Sequence, residues 1–411
     1  MSNDRVSRVI FQYATQIGGA RETDASLRLN ANMARDLVGA DRCSIWLVDN
    51  KAGQLWTKVA HGVPEIRIAM GQGIVGASIA QNESIVVNDT SSDPRFLNRP
   101  GQTGGYVVHS MVVLPLRGAD GAVIGALQAL NKPGGFSQED VDILGLAAAY
   151  SGSTLETQIL REEAEAARLL QKEMEIAKEV QQRLFPQSPQ PIPGLDYAAY
   201  CRPAKSVGGD YYDFIPMPDG SFFFTLGDVS GKGVAAAVLM ASIQASIRSQ
   251  TVALFDSLAA LLGNFNKAVY SFSMEDRYST LFCGHLDPSM RRLTYVNAGQ
   301  VRPLLHRAAT QKIERLSTGG LPVGLLPMAE YDQGEVTLET GDALLCFSDG
   351  ISEATNSKGE MWDETVVRAF LTANHHQPAA GLIQSLVAAA DAFTGDAEQF
   401  DDLTAMAIKA V

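Results

Sequence analysis

The chain has 411 residues, 46% hydrophobic and 19% charged, with a net charge of −13. That length exceeds one ordinary core and predicts two or three domains, and the composition is that of a globular chain, not a disordered one. The acidic balance argues against nucleic acid or an anionic membrane as a partner, and no apolar run approaches the ~20 residues that span a bilayer.

Asn3, Asp4 and Arg5 open no apolar leader, so a cytoplasmic location is expected. Cys43, Cys201, Cys283 and Cys346 form no CxxC pair, and none is followed at the required distance by the arginine of a cysteine-phosphatase loop. Buried thiols in a reducing compartment are the plain reading. No histidine pair has HExxH spacing, which disfavours zinc.

In chain order, helical spacing over 25–38 precedes strand runs at 43–48, 54–60, 84–87, 110–116 and 122–130. A helix follows over 138–150, with Ser137 as its N-cap. Residues 153–185 hold no glycine or proline and are rich in good helix formers. There Leu155, Ile159, Ala166, Leu169, Ile176 and Val180 fit a four-three spacing that Glu162 and Glu173 interrupt, beside a second stripe of Leu160, Ala167, Leu170, Met174, Ala177 and Leu184. This predicts a short, imperfect coiled coil able to pair in a homodimer; packing on its own domain is the alternative. Prolines from Pro186 to Pro193 break the helix. The expected domains are therefore 1–152, a helical linker at 153–188, and 189–411. In the last, strands are expected at 221–226, 280–285, 292–296, 343–347 and 404–408, and helices at 234–248, 257–270, 363–371 and 379–393.

Four aspartates carry the chemistry. Asp210 ends Ser206-Val207-Gly208-Gly209-Asp210, Asp228 follows the strand at 221–226, Asp349 follows the strand at 343–347, and Asp401 stands just before the last strand. Carboxylates at strand ends can converge on one rim of a sheet, where hard divalent cations must neutralise them. Two Mg²⁺ or Mn²⁺ ions held there can activate a water and stabilise a phosphoryl group in transfer.

The sequence around each aspartate resembles one family, the metal-dependent 2C-like protein phosphatases of the bacterial SpoIIE-like (RsbU-type) branch. Glu179-Val180-Gln181-Gln182-Arg183-Leu184-Phe185-Pro186 is similar to that family's entry helix, and Arg202 to Phe214 to its first metal motif. Gly227-Asp228-Val229-Ser230-Gly231-Lys232-Gly233, Phe347-Ser348-Asp349-Gly350-Ile351-Ser352-Glu353-Ala354 and Asp401-Asp402-Leu403-Thr404 resemble the rest. The resemblance implies a sandwich of two sheets between helices that acts on phosphoserine or phosphothreonine, with an anti-sigma-factor antagonist as the suspected phosphoprotein partner. It implies that Asp228 bridges both ions with the Val229 carbonyl on one, and that Asp349 and Asp401 hold the other. Asp210 would act directly or through water. Asp402 is the alternative to Asp401, and Lys205 would contact the substrate phosphate. Gln300 and Ser206 depart from the family's usual His and acidic residue.

Residues 20–150 resemble a GAF domain, an antiparallel sheet with flanking helices, so the whole chain reads as α+β. Asn131, Lys132, Phe136 and Asp140 match the signature of the cyclic-nucleotide-binding branch, although Val141 replaces its final Glu and Val108 its usual hydroxyl residue. The resemblance implies a structural Lys132–Asp140 pair and a regulatory cyclic nucleotide or other small ligand; it names no ligand contacts. Two other readings stay open: a catalytically silent scaffold in a partner-switching pathway, and a phosphatase of small phosphoesters.

Overall fold

A computed structural model describes residues 23–60, 65–97, 106–187, 190–252, 257–273 and 277–411, with a few positions between 8 and 16. Residues 3–5, and residues 188 and 189 of the expected boundary, lie outside the described residues. The chain divides into two compact units, Met1–Leu169 and Leu170–Val411.

The first unit is built on a six-stranded antiparallel sheet of order β3-β2-β1-β6-β5-β4. Its strands are β1 (Arg42–Asp49), β2 (Gln54–Ala60), β3 (Arg67–Ala69), β4 (Ile85–Val87), β5 (Met111–Arg117) and β6 (Val123–Leu130). Helix α1 (Thr23–Val38) and the start of α3 (Gln138–Gln182) cover one face through Leu27, Met33, Leu144, Ala147 and Leu155. Helix α2 (Gly73–Gln81), which the sequence reading did not contain, packs Ile74 and Val75 among buried residues of the same sheet in a separate core.

Two helices were expected where α3 runs unbroken for 45 residues. Gly152 lies inside that helix as a contact point: a Cβ there would lie 2.4 Å from the Arg117 carbonyl, so only glycine lets the helix pass β5 this closely. Ser137 opens the helix as expected, its N–H and hydroxyl both bonded to the Asp140 carboxylate three residues on.

The second unit layers two sheets between helices. One sheet has the order β14-β11-β10-β9-β8 with β15 against β11, and the other the order β13-β12-β16-β17-β7. Their strands are β7 (Leu195–Arg202), β8 (Tyr211–Pro216), β9 (Phe222–Val229), β10 (Ser279–Leu286), β11 (Arg292–Ala298), β12 (Leu304–His306), β13 (Ile313–Arg315), β14 (Gly319–Gly320), β15 (Gly334–Thr337), β16 (Ala343–Phe347) and β17 (Leu403–Ala410). Alternation explains the layering. In β9, Phe222 and Phe224 face the second sheet while Phe223 faces α4 (Val234–Val252) and α5 (Leu258–Phe272). In β17, Met406 and Ile408 enter the inter-sheet core, while Ala405 and Ala407 meet α7 (Glu364–Asn374) and α8 (Ala379–Thr394). A strand buried on both faces reads as one apolar run, which is why β17 was visible in sequence. Strands β7 and β8 were not, because Asp196, Tyr200, Arg202 and Asp213 interrupt theirs.

Two of the edges that move lie beside the aspartates. β9 continues through Asp228, which therefore sits inside the strand opposite Thr280 and not after it. β17 begins at Leu403, so Asp402 intervenes between Asp401 and the strand.

Candidate metal centre

The four aspartates come from four different backbone settings. Asp210 is the last residue before β8, and Asp228 the penultimate residue of β9. Asp349 opens α6 (Asp349–Ser352) at the end of β16, and Asp401 precedes β17. Ser348 fastens the last two together. Its N–H bonds the Thr404 carbonyl at 2.9 Å, and its hydroxyl donates to the Asp402 carbonyl at 3.1 Å and accepts from Thr404 N–H at 3.0 Å.

The carboxylates stand within electrostatic reach of one another. Burial, followed by the charges of Asp349, Asp401 and Asp402, pushes Asp228 up to about 7. Burial and then the Asp228 charge hold Asp210 well above the usual carboxylate range, and burial with the Asp401 and Glu353 charges raises Asp349. The Asp210 Oδ2 atom is buried without a hydrogen-bond partner. Among the described residues, no three His, Cys, Asp or Glu side chains already stand in ligating geometry.

Asp401 and Asp402, indistinguishable in sequence, have different surroundings. Asp402 is buried and accepts from the backbone N–H groups of Ala204 (2.7 Å), Gly209 (2.6 Å) and Asp210 (3.3 Å), so it holds the loop that presents Asp210. Gly208 makes this possible: a Cβ there would lie 2.1 Å from Asp402 Oδ2. The Asp401 carboxylate is partly exposed, with Oδ2 2.9 Å from Lys232 Nζ and Oδ1 accepting from Asp402 N–H. The Val229 carbonyl borders the same loop, 2.8 Å from where a Cβ on Gly209 would be. Lys205 is exposed on that loop. Gln300 is buried and accepts from the Thr280 hydroxyl while reaching the Phe347 carbonyl at 3.4 Å, a cross-tie between the two sheets.

Sequence reasoning missed two positioning contacts. Gln181, near the end of α3, is buried and grips Gly208 on both sides, Nε2 donating to its carbonyl at 2.7 Å and Oε1 accepting from its N–H at 3.1 Å. The signal was present as an amide two residues after Glu179 in the entry-helix motif. Asp213, fully buried, takes a bidentate contact from Arg248 of α4 at 2.6 and 2.7 Å and the Tyr211 hydroxyl at 2.7 Å, anchoring β8 just beyond Asp210. No local spacing announces a pair separated by 35 residues.

Elsewhere, Asn131 accepts from His109 N–H and donates to the Val107 carbonyl, both at 2.7 Å, while Lys132 pairs with Asp140 at 2.5 Å and Phe136 is buried. Cys43, Cys283 and Cys346 are buried thiols outside any disulfide, Cys201 is half-buried, and burial pushes Cys43 and Cys283 up to about 12. No helix among the described residues is long and apolar enough to cross a membrane.

Residues 22–155 match the GAF domain family and residues 218–411 the family described as Stage II sporulation protein E (SpoIIE). The chain thus resembles a GAF domain followed by a SpoIIE-type domain. Protein IcfG of Synechocystis is 28% identical over 303 residues, 67% of this chain and 47% of that protein. Phosphoserine phosphatase RsbU of Bacillus subtilis is 30% identical over 190 residues, 46% of this chain and 56% of that one. This chain thus spans about half the length of these relatives. The SiaA-PP2C domain of Pseudomonas aeruginosa superposes with a TM-score of 0.53 at 20% identity, over 60% of this chain and 99% of that one, a likeness of fold. That likeness of fold agrees with the helix–sheet–sheet–helix layering around the four carboxylates.

Proposed function

We propose that the chain is a divalent-cation-dependent serine/threonine protein phosphatase of bacterial signalling, controlled by its GAF domain. The carrying observation is the carboxylate cluster: burial and then the charges of Asp349, Asp401 and Asp402 raise Asp228 to about 7, and Asp210 Oδ2 is buried without a hydrogen-bond partner. An all-oxygen donor set of that kind suits Mn²⁺ or Mg²⁺. Asp228 with the Val229 carbonyl, and Asp349 with Asp401, would hold two ions, and Asp210 would contact one directly or through water. Asp402 would position the Asp210 loop and leave ligation to Asp401. When bound, such ions supply an activated water and neutralise charge on the phosphoryl group. The protein's part is to keep the carboxylates on two rigid sheets and to seat the phosphoester at their rim, where exposed Lys205 meets its oxygens.

Regulation would run along α3. That helix starts beside the Asp140 cap and ends where Gln181 grips the loop before Asp210, so a shift of its register would change the completeness of the cation site. Its middle stays exposed: Leu160, Leu169, Leu170, Ile176 and Val180 face solvent although both ends of the stripes, Leu155 and Leu184, are packed into cores. Pairing of two copies through that stretch would cover it. The substrate would be a phosphoserine or phosphothreonine protein, with an anti-sigma-factor antagonist as the expected partner, and the GAF ligand a cyclic nucleotide or another small molecule.

The test is phosphate release from a phosphoserine protein by the full chain with Mn²⁺, beside Asp228→Asn. Metal-dependent turnover lost in the variant supports the reading. Absence of turnover with and without cyclic nucleotides would favour the silent scaffold, and turnover of small phosphoesters alone would favour the other alternative.

A further inference from the structure

Among the described residues, Lys232 is the cation that ion-pairs with the carboxylate cluster. Its Nζ lies 2.9 Å from Asp401 Oδ2 and donates to the Phe400 carbonyl at 2.5 Å. Nothing in its own segment favours this place. Lys232 stands two residues before α4, whose first turn carries the partial positive charge of a helix N-terminus and repels an ammonium. The attraction comes from across the site, from the segment that leads into β17. Both oxygens of Asp401 thereby carry a contact, since its Oδ1 accepts from Asp402 N–H. The ammonium occupies the Oδ2 side of Asp401, and a divalent ion taking that oxygen at bonding distance meets strong repulsion from it. The lysine side chain is 40% exposed, so it can leave without opening the core.

We propose that Lys232 is a resident competitor of the divalent cation at Asp401: its ammonium neutralises the carboxylate while the site holds no metal, and it must leave before an ion can bind Oδ2. The proposal rests on the two-cation reading above and adds a threshold to it, because the cation concentration needed to fill the site is set partly by this one side chain. The competition also separates two ligands that otherwise look alike, Asp349, which forms no ion pair among the described residues, and Asp401, which is guarded.

The experiment is titration of the full chain with Mn²⁺, following free Mn²⁺ by its paramagnetic resonance signal, a readout independent of turnover. Wild type is compared with Lys232→Met, which keeps the stem and removes the charge, and Lys232→Arg, which keeps a charge. Lys232→Met should bind its weaker ion roughly fivefold more tightly, the order expected for one half-exposed ion pair, and Lys232→Arg should stay near wild type. Equal affinity in all three, with wild type binding Mn²⁺, overturns the competitor role and leaves the metal centre standing. Failure of folded wild type to bind Mn²⁺ at millimolar concentration removes the metal centre itself. Circular dichroism on each variant separates either result from misfolding.

Discussion

Asp140 in the first unit and Asp210 in the second are almost equally hidden, at 5% and 2% exposed, yet they respond in opposite directions. Burial alone would push Asp140 up, but the Lys132 ammonium and the N–H and hydroxyl of Ser137 together carry it below its ordinary value. Burial raises Asp210, and the Asp228 charge raises it further. One carboxylate has its counter-charge within the chain; the other is surrounded by more of its own kind. A buried charge that is matched internally serves the fold, whereas one left mismatched needs something from outside. That contrast separates a structural signature from a chemical site more sharply than burial or motif matching does.

The largest expected effect comes from breaking the mismatched side. Asp228→Asn should lower Mn²⁺-dependent phosphate release by about 10³-fold or more, the scale of losing a group that organises transition-state charge. Without metal, the same change should stabilise the phosphatase domain, because it removes one member of a repelling set. Activity and thermal melting in EDTA should therefore move in opposite directions, and a variant that is both inactive and destabilised would count against a cation-seeking cluster.

Breaking the matched side should do the reverse. Lys132→Met strands a buried carboxylate and should cost the GAF domain about 2–4 kcal/mol, less than a fully enclosed pair because the lysine is partly exposed. Urea unfolding of the full chain should show the GAF transition moved to lower denaturant, with basal phosphatase turnover within about twofold of wild type. A third substitution tests the link between helix and site. Gln181→Ala leaves the N–H and carbonyl of Gly208 buried and unpaired, a penalty of roughly 1–3 kcal/mol per group, so the Asp210 loop should loosen. The Mn²⁺ concentration for half-maximal rate should rise about tenfold, with a smaller change in the rate at saturation. A fall in saturating rate alone would place Gln181 outside metal-site assembly.

Much of this contrast is readable in the sequence. The continuous apolar runs of β16 and β17, the phenylalanine triplet of β9 and the glycine-bounded turn after Asp228 all signal themselves locally, and the family resemblance ordered the aspartates. What escaped depends on partners distant in sequence. Asp401 and Asp402 are equivalent until the loop at 204–210 returns to claim Asp402. Asp213 finds Arg248, and Gln181 finds Gly208, only across the folded domain. The break expected between two helices failed for the same reason, because Gly152 answers to Arg117 and not to its own neighbours.

The smallest effect, and the one most specific to Asp228, is on the pH dependence of stability. Its ordinary value near 3.8 rises to about 7 in the folded chain, so between those values the folded state keeps a proton that the unfolded state has released. Stability then falls as pH rises through that window, and the full penalty is present above it. The net charge of −13 gives a trend of the same sign through general self-repulsion, so a falling melting temperature alone would not identify the cluster. The difference between wild type and Asp228→Asn does, because the background is nearly common to both. In EDTA that difference should already be present near pH 5 and widen towards pH 8, by roughly 2–4 °C for each kcal/mol of relieved penalty in a domain of this size. Saturating Mn²⁺ should reverse it, since cations bound to ionised carboxylates stabilise the wild type alone. A gap that stays constant from pH 5 to pH 8 in EDTA would mean that Asp228 is ionised throughout and that its neighbours lie farther away than the folded geometry places them.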